Sequence, residues 1–242
     1  MFSILKKELL QFFGSWTSYI IASIFVLICS LFLWFFENQF NFFVIGVASM
    51  QSFFNLAPWV LLFLIPALTM KSIAEEQHQG TLVWLFSQPI SLFSIVIGKF
   101  IALVIVVLFC LLPTFIYYYS MKNLSLDINS IDSNTIFTGY LGLIMLSIAF
   151  IALGLFTSSL SNNQVLAYIS GVFLCLFAYF GLEALASFDL LGSADFIIQK
   201  TGFLFHYKSF AKGIVDTKDL CYFLFVSLLF IQGSLYFIKK KK

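Results

Sequence analysis

Glu75 and Glu76 stand side by side in KSIAEEQHQGTLVWLFSQPIS, residues 71–91, between two long apolar runs. Paired carboxylates can ligate a metal, relay a proton or recognise a cation. A metal site needs convergent Cys, His or carboxylate ligands; His206 has none near it in sequence, and His78 reads as a solvated residue among polar neighbours. Cys29, Cys110, Cys175 and Cys221 lie in or beside apolar runs without C-x-x-C spacing, which reads as small core hydrophobes. Gly98-Lys99 lacks the earlier glycine and the strand of a phosphate-binding G-x-x-x-x-G-K-[ST] loop, so no nucleotide-hydrolysing apparatus and no cofactor site is expected. Recognition is left. After Gly80 and Thr81 the stretch turns apolar through Leu82, Val83, Trp84, Leu85 and Phe86. An acidic turn beside large apolar side chains suits a groove on a soluble partner. The same residues could lie on lipid, although carboxylates facing an anionic leaflet weigh against that.

The elements that position this stretch follow from composition. Of 242 residues, 61% are hydrophobic and 10% charged, too little polar surface for a soluble domain of this length. Six apolar runs of bilayer length, 16–36, 53–70, 100–120, 136–158, 164–186 and 219–238, predict an all-α polytopic membrane protein forming a single unit over 1–242. Aromatic residues near the ends of the runs fit the headgroup zone. No cleavable signal peptide is expected, because the first run is of full span length and no small-residue cleavage site follows it. A net charge of +2 gives no reason to expect a nucleic-acid partner.

All 13 basic residues are lysines. The block Lys239 to Lys242 lies directly beside the last run and is hard to translocate, which places both termini in the cytoplasm, with Lys6, Lys7, Lys71 and Lys99 on the same side. Residues 71–91 then face the cytoplasm and 187–218 form an outer segment. Residues 1–15 read as an interfacial helix: Phe2, Leu5, Leu9, Phe12 and Phe13 share one arc, Lys7, Glu8, Gln11 and Ser3 face away, and Ile4 and Leu10 break the pattern.

Within the insert, Ser72 to Gln79 predicts a helix that Gly80 ends as its C′ residue. Thr81 to Phe86 predicts a second short turn, stopped at Ser87-Gln88-Pro89, and Ser91 caps the next helix while Lys99 snorkels to the boundary. Pro58, Pro66 and Pro113 predict bends in the flanking spans. Gly139, Gly142 and Gly154, with Ser147, Ala149 and Ala152, give span 4 a surface for close packing inside the chain. Asp216 or Thr217 caps the last span. Proton-driven machines carry ionisable groups deep in their spans; here, apart from Asp219 at the first position of span 6, Glu183, near the outer end of span 5, is the one acid in the six runs.

EEQHQGTLVWLFSQPIS followed by IVIGKF resembles the E-E-x-x-x-G-T-L-E-x-L-L-x-x-P-[IV]-S…G-K segment of ABC-2 type transporter permeases. LGLFTSSLSNNQVLAYISG, 153–171, is similar to the segment joining spans 4 and 5 of that family. FLFHYKSFAKGIVDTKDLCYFL, 203–224, resembles the stretch before its last span, in the form found in the gliding-motility-associated subgroup. Lys71 stands where Arg is usual, Gln77 where Lys is common, and Val83-Trp84 where an acidic residue follows Gly-Thr-Leu. The resemblance implies a permease subunit of the inner membrane, not itself an enzyme. Residues 71–91 would be its cytoplasmic coupling helix, resting in a cleft of a separate ABC ATPase. Glu75, Glu76, Gly80, Thr81, Leu82, Trp84, Leu85 and Phe86 would carry that contact. The implied partners are the ATPase, a second permease copy or a related permease, membrane lipid and an accessory membrane protein of the motility or secretion apparatus. On the residues alone, an ion-gradient-driven secondary transporter and a non-transporting scaffold stay open.

Overall fold

Backbone N–H and C=O groups find no water in a bilayer, so a spanning segment must satisfy them internally. Among the described residues every element is helical. The computed structural model describes residues 2–45, 49–82, 87–88, 90–124, 133–188 and 193–241. In chain order the helices are α1 (Phe2–Phe13), α2 (Trp16–Ser30, prolonged by a π-helical turn at Leu31–Phe35), α3 (Gln51–His78), α4 (Leu92–Leu124), α5 (Ser133–Leu160), α6 (Gln164–Ala186), α7 (Ser193–Lys200), α8 (Phe203–Ala211) and α9 (Thr217–Lys240). A single helical turn, Phe42–Ile45, lies between α2 and α3. Among the described residues six helices are long and apolar enough to cross a membrane, corresponding to the six expected runs.

α3 and α5 form the inside of the bundle and pack along each other, with α6, α8 and α9 also against α5. Three glycines allow the approach. A Cβ at Gly139 would meet the Phe54 ring at 2.5 Å, one at Gly142 would collide with Phe210, and one at Gly154 with the Thr69 side chain. The small-residue surface of span 4 is thus used within the chain. Where α8 meets α3, the buried Tyr207 hydroxyl donates to the Phe54 carbonyl at 2.6 Å. Burial, with Tyr179 adding to it, pushes this phenol well above its ordinary pKa, so it stays a donor. Along α2, α6 and α9, large apolar side chains such as Ile24, Phe173 and Phe225 point outward, as lipid-facing helices require.

Pro58 and Pro66 are buried within α3, which continues as helix through both. The local departures come elsewhere. Pro113 sits in a 3-10 turn, Leu112–Thr114, inside α4, and π-helical turns occur at Lys71–Glu75 in α3 and Phe177–Gly181 in α6. At 28 residues, α3 is roughly 42 Å long, against about 30 Å of hydrocarbon. Its last turns therefore project beyond the bilayer core. The first half of the expected insert is the continuation of span 2, not a separate helix.

α1 differs from its helical-wheel reading. Ile4 and Glu8 are buried, with Ile4 against Gly98 and Ile95 of α4, while Phe2 and Leu10 are exposed. Two of its surfaces are needed, one for lipid and one for α4. Ile4 belongs to the second, which explains why it broke the apolar arc.

Enlarging Gly154 tests the α3–α5 contact. Gly154→Leu is expected to cost about 1–3 kcal/mol through overpacking, seen as a lower unfolding temperature in detergent micelles. An unchanged temperature would mean that α3 and α5 do not pack at this position.

Candidate functional site

The π-helical turn at Lys71–Glu75 disturbs the regular backbone ladder of α3 just where the helix leaves the bilayer core. Turns of this kind leave backbone groups to be satisfied from outside the helix. Two other helices do this. Ser158 of α5 accepts from the N–H groups of Ile73 (3.2 Å) and Ala74 (3.0 Å) and donates to the Met70 carbonyl (3.3 Å). Lys99 of α4 donates to the Ser72 carbonyl at 2.8 Å.

Lys99 is the centre of the site. Its side chain is 1% exposed, seven residues into an apolar helix that begins at Leu92. The ammonium has three protons and meets three acceptors: Glu8 Oε1 of α1 at 2.7 Å, Glu76 Oε1 of α3 at 3.0 Å, and the Ser72 carbonyl. Lys7 adds a contact to Glu76 at 3.2 Å from the more exposed side. Two ammoniums and two carboxylates balance, which is the condition under which charge survives burial. Lys99 does not snorkel as expected, because Glu8 and Glu76 converge on it inside the protein. Glu8, assigned to the water-facing side of α1, is buried for the same reason.

A polar cavity of about 300 Å³ lies beside this cluster, lined by Lys7, Gln11, Lys71, Glu75, Gln79 and Thr81 among others. Of the residues expected to face a partner, Glu75 is half-buried and accepts from Gln79 Nε2 at 3.1 Å, and Glu76 is turned inward. The helix stops at His78, Gly80 has φ +70° as a C′ residue should, and the Thr81 hydroxyl donates to the Glu76 carbonyl at 3.3 Å. Leu82 is buried in the main core. Trp84, Leu85 and Phe86, with Val83, lie outside the described residues. Ser91 caps α4 as expected, accepting from the Ser94 N–H at 3.2 Å.

Lys241 grips the same end. Lys241 Nζ donates to the carbonyls of Ser159 (2.9 Å) and Leu160 (3.4 Å), to Asn162 Oδ1 (3.1 Å) and to Gln77 Oε1 (2.9 Å). A cation on the last carbonyls of α5 complements the helix dipole, and desolvation lowers the Lys241 pKa. Gln77, standing where Lys is common in the resembled family, thereby ties the tail to α3. The sequence reading placed Glu8, Lys99 and Lys241 singly and passed over Ser158, without bringing them together in this site. The available signal was a lone Lys99 inside an apolar run and a Glu8 on the amphipathic first helix, on elements expected at one membrane boundary.

At the other end of the bundle, Glu183 pairs with Lys208 of α8 at 2.5 Å. His206 stacks on Tyr222, with Nδ1 2.6 Å from Asp219 Oδ1 and Nε2 2.8 Å from the Lys200 carbonyl. Asp216 caps α9, accepting from the Lys218 N–H at 2.9 Å. Among the described residues no three His, Cys, Asp or Glu side chains come together as metal ligands.

A family model described as "ABC-2 family transporter protein" matches residues 2–224. The chain belongs to the ABC-2 transporter family. It is a multi-pass membrane protein, a transporter subunit of a family whose permeases normally work with an ABC ATPase. No curated protein matched the chain. The family match covers α1, the α3–α4 insert and α8, so the ion cluster lies wholly within it.

Removing one member of a buried, balanced cluster leaves its partners uncompensated, at about 3–5 kcal/mol. Lys99→Met is therefore expected to lower the unfolding temperature of this ABC-2 subunit sharply. Adding Glu8→Met should recover part of the loss, because the remaining Lys7–Glu76 pair is neutral. A double variant less stable than Lys99→Met alone would contradict the pairing.

Proposed function

We propose that the chain is the membrane-spanning permease subunit of an ABC transporter, moved by ATP hydrolysis on a separate ATPase chain. The observation that carries the reading is the Lys99 cluster, with Glu8, Glu76 and the Ser72 carbonyl all on one ammonium. A push on the segment after His78 reaches Glu76 directly, and through Lys99 it reaches α1 and α4 together. Ser158 carries it to α5. An element rigidly joined to several spans is what a coupling helix has to be. The absence of a phosphate-binding loop from the sequence supports a separate ATPase.

In this reading Glu76 is a brace, and the ATPase contact falls to Glu75, Gly80, Thr81 and the apolar residues Trp84, Leu85 and Phe86. Both termini and the 71–91 segment are cytoplasmic, the orientation that the lysine block favours, and the permease works as a pair with a second copy or a related subunit. A narrower role in gliding motility or its linked secretion, with an accessory membrane protein, rests on the resemblance of residues 203–224.

A cysteine placed at Gln79 or Thr81 tests the reading by crosslinking to a candidate ABC ATPase from the same cell. Capture of that ATPase, with hydrolysis stimulated by the unmodified permease, is the expected result. Labelling of the cysteine only from outside the cell would overturn the topology, and an ATPase indifferent to the chain would favour the scaffold.

A further inference from the structure

An open groove of about 590 Å³ runs between α2 and α3, along the middle of both helices. Its walls are hydrocarbon and aromatic, including Ile24, Ile28, Phe63 and Ala67. Ile24, Trp59 and Phe63 are each more than two-fifths exposed, so the groove opens sideways, toward lipid. From Leu56 to Ala67 along α3 it extends roughly 16 Å, at about 1.5 Å per residue.

A second cavity, of about 520 Å³, adjoins its outer end and shares Gln39, Phe40 and Trp59 with it. This chamber is more polar than the groove, with Gln51, Asn55, Lys208 and Lys212 in its lining beside aromatic side chains. Lys208 is neutralised by Glu183, whereas Lys212 makes no ion pair among the described residues. Trp59 packs on Phe180 with ring centres 4.0 Å apart and planes 33° apart, forming an aromatic wall at the junction. Of the three amides, Gln51 donates to Asn55 Oδ1 at 3.4 Å, which leaves the Asn55 and Gln39 NH₂ groups to donate into the chamber.

An apolar slot of chain length leading into amide donors and an unpaired ammonium has the polarity pattern of an amphiphile. We infer that the chain holds an anionic phospholipid here, with an acyl chain between α2 and α3 and its phosphate at Lys212, Gln39 and Asn55. A zwitterionic lipid places its own cation beside the phosphate and gains less from Lys212. The site requires only that the chain cross a bilayer. It does not depend on ATP coupling, so its failure and the failure of the permease reading are separate events.

The test uses the full chain with Trp59 as its one tryptophan (Trp16, Trp34 and Trp84→Phe), reconstituted in phosphatidylcholine. Brominated phosphatidylglycerol or brominated phosphatidylcholine is titrated in, and Trp59 fluorescence is read. Half-quenching is expected at a several-fold lower mole fraction of the anionic lipid. Lys212→Gln should bring the two lipids level, while Lys218→Gln, outside the chamber, leaves the preference intact. Should the single-tryptophan chain not fold, native mass spectrometry of the unaltered chain reads the same preference, as retention of phosphatidylglycerol over phosphatidylcholine. Equal quenching or equal retention overturns the proposal, as ordinary annular contact. So does a Trp59 shielded from both lipids while cysteines at Ile24 crosslink between copies, which would mean that a second copy fills the groove.

Discussion

A lysine ammonium with almost no access to solvent must be neutralised where it stands, and the arrangement of one end of this protein follows from that requirement. Lys99 cannot be buried unless Glu8 and Glu76 both reach it. Glu8 reaches it only if α1 lies against α4, and Glu76 only if α3 keeps its helix beyond the bilayer core. Desolvation makes an isolated charge so costly that these placements are mutually dependent. The cluster thus converts three separate helices into one mechanical unit.

The π-helical turn fits the same logic. A regular helix would satisfy its own backbone and offer nothing to its neighbours. By disturbing the ladder at Lys71–Glu75, α3 presents N–H groups to Ser158 and a carbonyl to Lys99. The segment after it is joined to α4 and α5 by directional hydrogen bonds as well as apolar packing. Lys241 and Gln77 add the C-terminal tail to the assembly. Force applied beyond His78 meets a stiff joint, and α3 and α5, the two most buried spans, lie directly behind it.

What the sequence made legible is local or periodic. Gly80 at positive φ, the Ser91 and Asp216 caps and the six spans each depend on a few neighbouring residues or on a run of hydropathy. The small residues of α5 could be read because glycine and alanine on a spanning helix have few other uses. The Glu8–Lys99 pair joins residues 91 apart, and nothing near either one announces the other. α1 misled for a further reason: lipid and α4 both select apolar side chains, so one hydrophobic arc could not separate the two surfaces. Of the expected contact residues, Leu82 is buried and Glu76 turns inward, because composition reveals which side chains can dock but not which are already occupied.

The measurement that bears most directly on the joint is amide hydrogen exchange on the reconstituted chain, comparing the unaltered protein with Lys99→Met. If the ammonium ties the three helices together, exchange rises several-fold in Phe2–Phe13 and in Lys71–His78 at once, although neither segment carries the substitution. A rise confined to the residues of α4 around position 99 would show that α1 and the end of α3 are held independently, and the account of a single unit would be wrong.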